Sequence, residues 1–275
     1  MNAALERWWL RALLGAALLS LILLAVVVFV DLYGSKTDER IAMTFLVNLI
    51  LVMGLQIFVG TSGVISFAHV GFMAIGAYSA ALLTTDPAVK QTSIPDAPGF
   101  IQSAELGFVP ATAIAVVVTM AFALIVGLPI VRLAGAAAAV ATLGLLVIVH
   151  TVLSNFETLT RGAKAFYGIP AHSALPLGLA FGVCAIVVAR LMRESATGLG
   201  VRSSRQDELS ARASGVDVTR GRLWMWVVGA GITAMAGSLY AHYVLAILPN
   251  AFYFSLTFVI VTMVIVGGQS ITGAF

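Results

Sequence analysis

Charge is scarce in this chain. Of 275 residues, 10% are Asp, Glu, Lys or Arg and 60% are hydrophobic, and the mean hydropathy is +1.04. A soluble domain carries about 25% charged residues. The composition therefore excludes a fold built round one aqueous core and implies a chain dissolved mostly in lipid. Cysteine is nearly missing: Cys184 stands alone in an apolar run. That excludes an intrachain disulfide and a cysteine metal site, and leaves Cys184 as a lipid-facing or packing residue. No metal and no resident cofactor is expected. The phosphate-cradling pattern G-x-x-x-x-G-K-[ST] is absent, so the chain is expected neither to bind ATP itself nor to be an enzyme. Carboxylates and cations are also missing from the interior of every apolar run. Ion-coupled carriers usually keep such groups as relays, so that class lacks its expected equipment here. His69, His150 and His242 are the titratable candidates in or near the runs, and hydrogen-bonded packing is the simpler reading of each. The net charge of +3 is small and gives no reason to expect nucleic acid.

Long apolar runs are what the chain does have. They fall near 10–30, 41–60, 63–83, 109–131, 134–153, 173–191, 223–243 and 253–268. On the hydropathy criterion this predicts an all-α polytopic membrane protein of about eight transmembrane helices, forming one membrane domain over 1–275. The first run follows Arg7 and Arg11, exceeds the length of a signal-peptide core and is not followed by a small-x-small cleavage site; it reads as a retained span. The tightest connection is Gly60-Thr-Ser-Gly63. The region 60–83 is therefore expected to be re-entrant or broken, which a membrane tolerates only where protein or water covers the backbone. Small residues crowd the third run (Gly63, Ser66, Gly71, Gly76, Ala80) and the fifth, from Ala134 to Gly144. They let helices approach closely or line a path. On a helix, His69, Phe72, Met73, Gly76 and Ala80 share a face.

With the N-terminus in the cytoplasm, ten of the fifteen Lys and Arg residues lie inside: Arg7, Arg11, Arg132, Arg190, Arg193, Arg202, Arg205, Arg212, Arg220 and Arg222. The positive-inside rule favours that orientation. It places the one long polar segment, 194–222, in the cytoplasm. On a continuous helix from Val201 to Gly215, the side chains of Arg202, Arg205, Leu209, Arg212 and Val216 fall within an arc of roughly 80°. Asp207 lies opposite, and Gly215 is a natural stop. A basic helix resting on anionic membrane lipid is one reading. The interleaved Glu208 and Leu209 favour a groove on a soluble protein.

These residues resemble the inner-membrane permease subunits of branched-chain amino acid ABC transporters. The resemblance runs through separated segments in family order: Gly60 to Tyr78, Arg132-Leu-Ala-Gly135 through Thr142-Leu143, Leu159-Thr-Arg-Gly162 to Gly168-Ile-Pro170, the loop with Glu208, Ala211, Gly215, Val216, Val218 and Leu223, then Ala236-Gly-Ser-Leu-Tyr-Ala241, Pro249 and Val266-Gly-Gly268. Ala137 and Ala138 stand where the family often has aromatics, and Ser210 stands where a small apolar residue is commoner. The family usually continues through another hydrophobic segment. This sequence stops at Gly273-Ala274-Phe275, which reads as a truncation or a naturally short variant.

The resemblance implies a bacterial inner-membrane permease subunit that moves branched-chain amino acids, or related small amino acids and amides, inward. Its implied partners are cytosolic ATPase subunits, a second permease that is a paralogue or a copy, and a periplasmic solute-binding protein. Arg205, Glu208, Leu209, Ala211, Arg212 and Gly215 become the expected ATPase-coupling residues. Ser66, His69, Gly71, Gly76 and Thr142 become candidates for the substrate path. An ion-coupled secondary carrier and an inactive, truncated permease are the competing readings.

Overall fold

The computed structural model describes residues 8–172, 174–268 and 270–274; Arg7, Phe275 and the side chain of Arg11 lie outside the described residues. The chain is almost wholly helical. Its elements are α1 (Trp8–Tyr33), α2 (Lys36–Ser62), α3 (His69–Thr84), α4 (Pro87–Ser93), α5 (Gly99–Gln102), α6 (Phe108–Ile130), α7 (Gly135–Asn155), α8 (Glu157–Thr160), β1 (Phe166–Tyr167), α9 (Leu175–Glu194), α10 (Ala196–Ser203), α11 (Glu208–Ala213), α12 (Val218–Val244), β2 (Ala246–Ile247), α13 (Phe254–Gly267) and α14 (Ile271–Ala274). A 3₁₀ turn, Pro249–Phe252, leads into α13. Among the described residues, seven segments are long and apolar enough to cross a membrane: α1, α2, α6, α7, α9, α12 and the stretch Pro249–Gly267; α3 is apolar but shorter, at 16 residues. The chain is thus an all-α, multi-pass membrane protein.

The expected third span differs from the other runs. Residues 63–68 are not helical, and α3 starts only at His69. Gly63 ends α2 in the left-handed conformation at φ 72°, and its N–H reaches Val59 O. Glycine meets that backbone requirement without steric cost. Three amides of the irregular stretch take side-chain acceptors: Val64 N–H donates to Ser62 Oγ (3.2 Å), Phe67 N–H to Thr142 Oγ1 (3.2 Å) and Ala68 N–H to Ser66 Oγ (3.4 Å). The serines and the threonine do here what the helical ladder does elsewhere.

α12 lies at the centre, packed against α2, α3 and α6, while α9 packs on α1 and α2. Glycines set these distances. A Cβ on Gly229 would lie 2.6 Å from Gly54 O, one on Gly76 would lie 2.5 Å from the Cα and O of Ala234, and one on Gly237 would lie 2.0 Å from Met73 O. The α2–α12 and α3–α12 crossings are therefore backbone-to-backbone contacts, as expected where lipid supplies little drive for association. Polar bonds tie the same helices. Thr84 Oγ1 meets His242 Nε2 at 2.8 Å, Thr112 Oγ1 meets Ser238 Oγ at 2.6 Å, and Trp226 Nε1 donates to Ala123 O at 3.0 Å. The face proposed for His69, Phe72, Met73, Gly76 and Ala80 is not a distinct stripe, because α3 is enclosed nearly all round.

Alternation of the spans puts 63–68, 131–134 and 195–217 at one end of the molecule. It puts 85–107, 156–174 and 245–253 at the other. At that second end β1 pairs antiparallel with β2, Phe166 opposite Ile247 and Tyr167 opposite Ala246. There too the buried Lys90 ammonium donates to the carbonyls of Leu82, Ile101 and Ala104. Burial pulls the lysine below its usual value of 10.5, opposed by the charges of Glu105 and Asp86. The three carbonyls fix the 82–104 segment round one cation.

The crossings differ in what they tolerate. Gly237→Ala and Gly76→Ala each press a methyl into backbone, and each should destabilise the protein by about 1–3 kcal/mol. Gly71→Ala meets only Val149 side-chain atoms at ordinary contact distances and should be neutral or slightly stabilising. Thermal unfolding of the detergent-purified variants, followed by size-exclusion fluorescence, measures the difference.

Candidate coupling surface

The polar segment does not form the single helix expected from Val201 to Gly215. α10 stops at Ser203, residues 204–207 turn, and α11 starts at Glu208. The Arg202–Arg205–Leu209–Arg212–Val216 stripe is therefore not one continuous face. The break has a local cause. Asp207 is the N-cap of α11: its Oδ1 accepts from Ser210 N–H at 3.0 Å, and its Oδ2 accepts from the Ser210 hydroxyl. An Asx residue satisfying the first free amide favours starting a new helix there. Gly215 ends the segment at φ 84°. Its N–H donates to Arg212 O at 2.9 Å, and Val216 N–H donates to Ala211 O at 3.1 Å, a glycine-stopped C-terminus.

The predicted coupling residues divide into inward and outward groups. Arg205 turns inward: its Nη1 donates to Gly60 O in the last turn of α2, at 3.1 Å. Its stem lies over Gly63, where an added Cβ would be 3.1 Å from Arg205 Cγ. A cation on the free carbonyls of a helix C-terminus is favourable. Glu208 bridges two arginines. Oε1 accepts from Arg212 Nη2 (2.8 Å) and Nε (3.1 Å), and Oε2 accepts from Arg222 Nη2 (2.9 Å). Arg222 is buried in the first turns of α12. Ala211 is buried beneath α11, whereas Leu209 points out and is 81% exposed. The surface thus presents one bare leucine, next to Arg212, on a short helix anchored to the two most buried long helices.

Two clefts open on the same polar segment. One, of about 450 Å³, is lined by Leu199, Arg202, Ser203, Arg205 and Gln206. The other, of about 390 Å³, lies between Ala196–Gly200 and the start of α12, with Val216, Arg220 and Trp224 on its walls. Exposed apolar side chains and open clefts on a polar surface suit a protein partner.

The sequence places Arg222 among the cytoplasmic arginines but gives it no part in the coupling surface, and it gives Asp207 no capping role. The Asp207-x-x-Ser210 spacing is a legible capping signal. The Glu208–Arg222 pair, 14 residues apart across a turn, leaves no periodic trace.

Of the five candidate path residues, Ser66 precedes α3, His69, Gly71 and Gly76 lie on it and Thr142 lies on α7; all are buried. Ser66 Oγ and His69 Nδ1 are 3.0 Å apart. The His69 ring sits among Phe58, Trp226 and Phe72, with centroids at 6.0, 5.3 and 5.6 Å. Thr142 holds Phe67 N–H, Gly71 touches Val149 of α7, and Gly76 touches Ala234 of α12. In this conformation they form the α3–α7 and α3–α12 seams.

The Asp207 carboxyl is held below its ordinary 3.8, first by the Ser210 hydroxyl, and Glu208 below its ordinary 4.5, first by the Arg212 guanidinium. A carboxyl whose folded value is depressed contributes stability above its ordinary value and loses it as pH falls through the folded one. Hydrogen exchange at the α11 amides should therefore be protected at about pH 6 and lose that protection below about pH 4. In the Glu208→Gln variant the pH step should shrink, and the segment should lose about 1 kcal/mol, a modest cost because the pair is partly wet.

Comparison with known proteins places these features in context. Residues 39–275 match the family described as branched-chain amino acid transport system / permease component. The high-affinity branched-chain amino acid transport system permease protein LivM of Salmonella typhimurium LT2 is 27% identical over 282 residues, covering 90% of this chain and 62% of that protein. The protein of the same name from Escherichia coli K12 is 26% identical over 270 residues, covering 86% of this chain and 59% of its own length. The chain thus spans about three fifths of the length of the curated relatives it matches. No solved structure matches it.

Proposed function

The chain belongs to the branched-chain amino acid transport system permease family, and on that premise we propose that it is the membrane-spanning subunit of an ATP-binding-cassette importer in a bacterial inner membrane. Its solutes are branched-chain amino acids or related small amino acids and amides. Separate cytosolic ATPase subunits supply the energy, a solute-binding protein delivers the cargo, and a second permease, paralogue or copy, completes the path. The N-terminus is cytoplasmic, as the charge distribution favours.

One observation carries the coupling part of this reading. α11 exposes Leu209 at its surface, while Arg205 fastens the segment to α2 and Glu208 fastens it to Arg222 of α12. A force applied at Leu209 is thereby passed to the helices that hold the bundle together. A partner that closes on ATP can move a membrane domain only through an element that is exposed on one side and rigidly tied on the other. The Glu208–Arg212 pair, four residues apart, stiffens α11 by a few tenths of a kcal/mol. Ser66, His69, Gly71, Gly76 and Thr142 serve as path residues in this scheme once the seams round α3 open.

Co-expression with the cytosolic ATPase subunits of the same importer, followed by capture through a tag on this chain, tests the proposal. Capture should depend on nucleotide and be lost in the Leu209→Asp, Arg212→Glu double variant while the protein stays inserted and monodisperse. Unchanged capture by that variant rules α11 out as the docking element.

A further inference from the structure

The end of the molecule opposite α11 carries a polar cleft that the importer scheme does not use. It measures about 350 Å³ and lies between Ser93–Asp96 on one side and Glu157, Thr158, Arg161 and Lys164 on the other. Two carboxylates and two cations line it, in equal number. Among the described residues, none of these four forms an ion pair. Opposite charges free to meet across a narrow space usually do so when their supports are flexible.

The supports here are fixed. On the first wall, Lys90 gathers the carbonyls of Leu82, Ile101 and Ala104, and Gln102 Nε2 donates to Pro95 O. On the second, Thr160 Oγ1 donates to Leu153 O and Phe156 O, and Gly162 N–H donates to Thr160 Oγ. Arg161, left-handed at φ 64°, donates to Ala165 O and lies over the Tyr167 ring at 4.5 Å. Walls whose backbone is already held lose less conformational freedom on receiving a ligand that carries both signs.

We propose that this cleft is a binding site for a small zwitterion of the α-amino-acid class, its ammonium taken by Asp96 and Glu157 and its carboxylate by Arg161 and Lys164. The charge pattern calls for a zwitterion; the choice of an amino acid rests on the importer reading. A net-neutral ligand matches a net-neutral cleft, and 350 Å³ accommodates one residue-sized molecule but not a peptide. Exposed charges bind weakly one by one, so the affinity is expected to be about millimolar. That suits a site which receives solute and passes it on.

The experiment uses the purified full chain in lipid nanodiscs and measures saturable binding of radiolabelled L-leucine. Unlabelled leucine, leucinamide (no carboxylate) and 4-methylpentanoate (no ammonium) serve as competitors. Leucine should compete at least about tenfold better than either analogue. Lys164→Gln should narrow the gap between leucine and leucinamide, and Asp96→Asn the gap between leucine and 4-methylpentanoate. Neither side chain makes a hydrogen bond or ion pair among the described residues, so both variants should fold. Equal competition by all three compounds overturns the proposal, as does no saturable leucine binding. Wild-type discrimination in both variants overturns it too, placing the amino acid elsewhere on the chain. ATPase capture does not enter this measurement, so its failure and failure of the zwitterion site are told apart.

Discussion

The contact between the backbones of α12 and its neighbours is the constraint on which the rest of the structure depends. Gly54 against Gly229, Gly76 against Ala234 and Gly237 against Met73 bring three helices closer than side chains would allow. In lipid, burying another leucine gains little, so association rests on close packing and a few polar bonds. Phe58 of α2, Phe72 of α3 and Trp226 of α12 pack round His69 where these helices meet. The hydroxyl bonds from Thr84 and Thr112 then fall into reach of His242 and Ser238. The outer helices α1, α7, α9 and α13 can afford large lipid-facing apolar surfaces because they are not needed to hold the centre.

The same central helices receive the polar segment. Arg205 and Arg222 are spaced by a helix break, a capped short helix and a left-handed glycine, yet they contact α2 and Glu208 respectively. A continuous helix would have pointed Arg205 the same way as Leu209. The break frees the arginine to turn inward while the leucine stays in water. Local capping chemistry at Asp207 and Gly215 therefore decides which side chains grip the bundle and which face outward.

Much of this was legible in the residues. Hydropathy located the spans to within a few residues, because a crossing needs a run of fixed length and lipid tolerates few exceptions. The interruption near 60–83 was legible from Gly60-Thr-Ser-Gly63, since glycines and hydroxyls end helices. The placement of the seam residues was legible only as small-residue crowding. Whether Gly76 meets a helix, a path or lipid depends on which helix the fold brings alongside. The break at 204–207 was misjudged because a wheel counts angles and ignores capping: Asp207, placed on the back of a helix, in fact starts one. The pairing of Arg222 with Glu208 was not legible because the two lie on different elements and no periodicity links them.

The irregular stretch before α3 has a consequence for hydration. Phe67 N–H has Thr142 Oγ1 as its acceptor, and Thr142 belongs to α7. If α7 draws away from α3, that amide loses its partner, and an N–H left bare out of reach of water costs several kcal/mol. Lipid cannot supply the missing acceptor, whereas water can. Any conformer that separates these two helices must therefore be a wet one, and its population depends on the activity of water. Lowering that activity with an excluded osmolyte would hold the seam shut with no ligand involved.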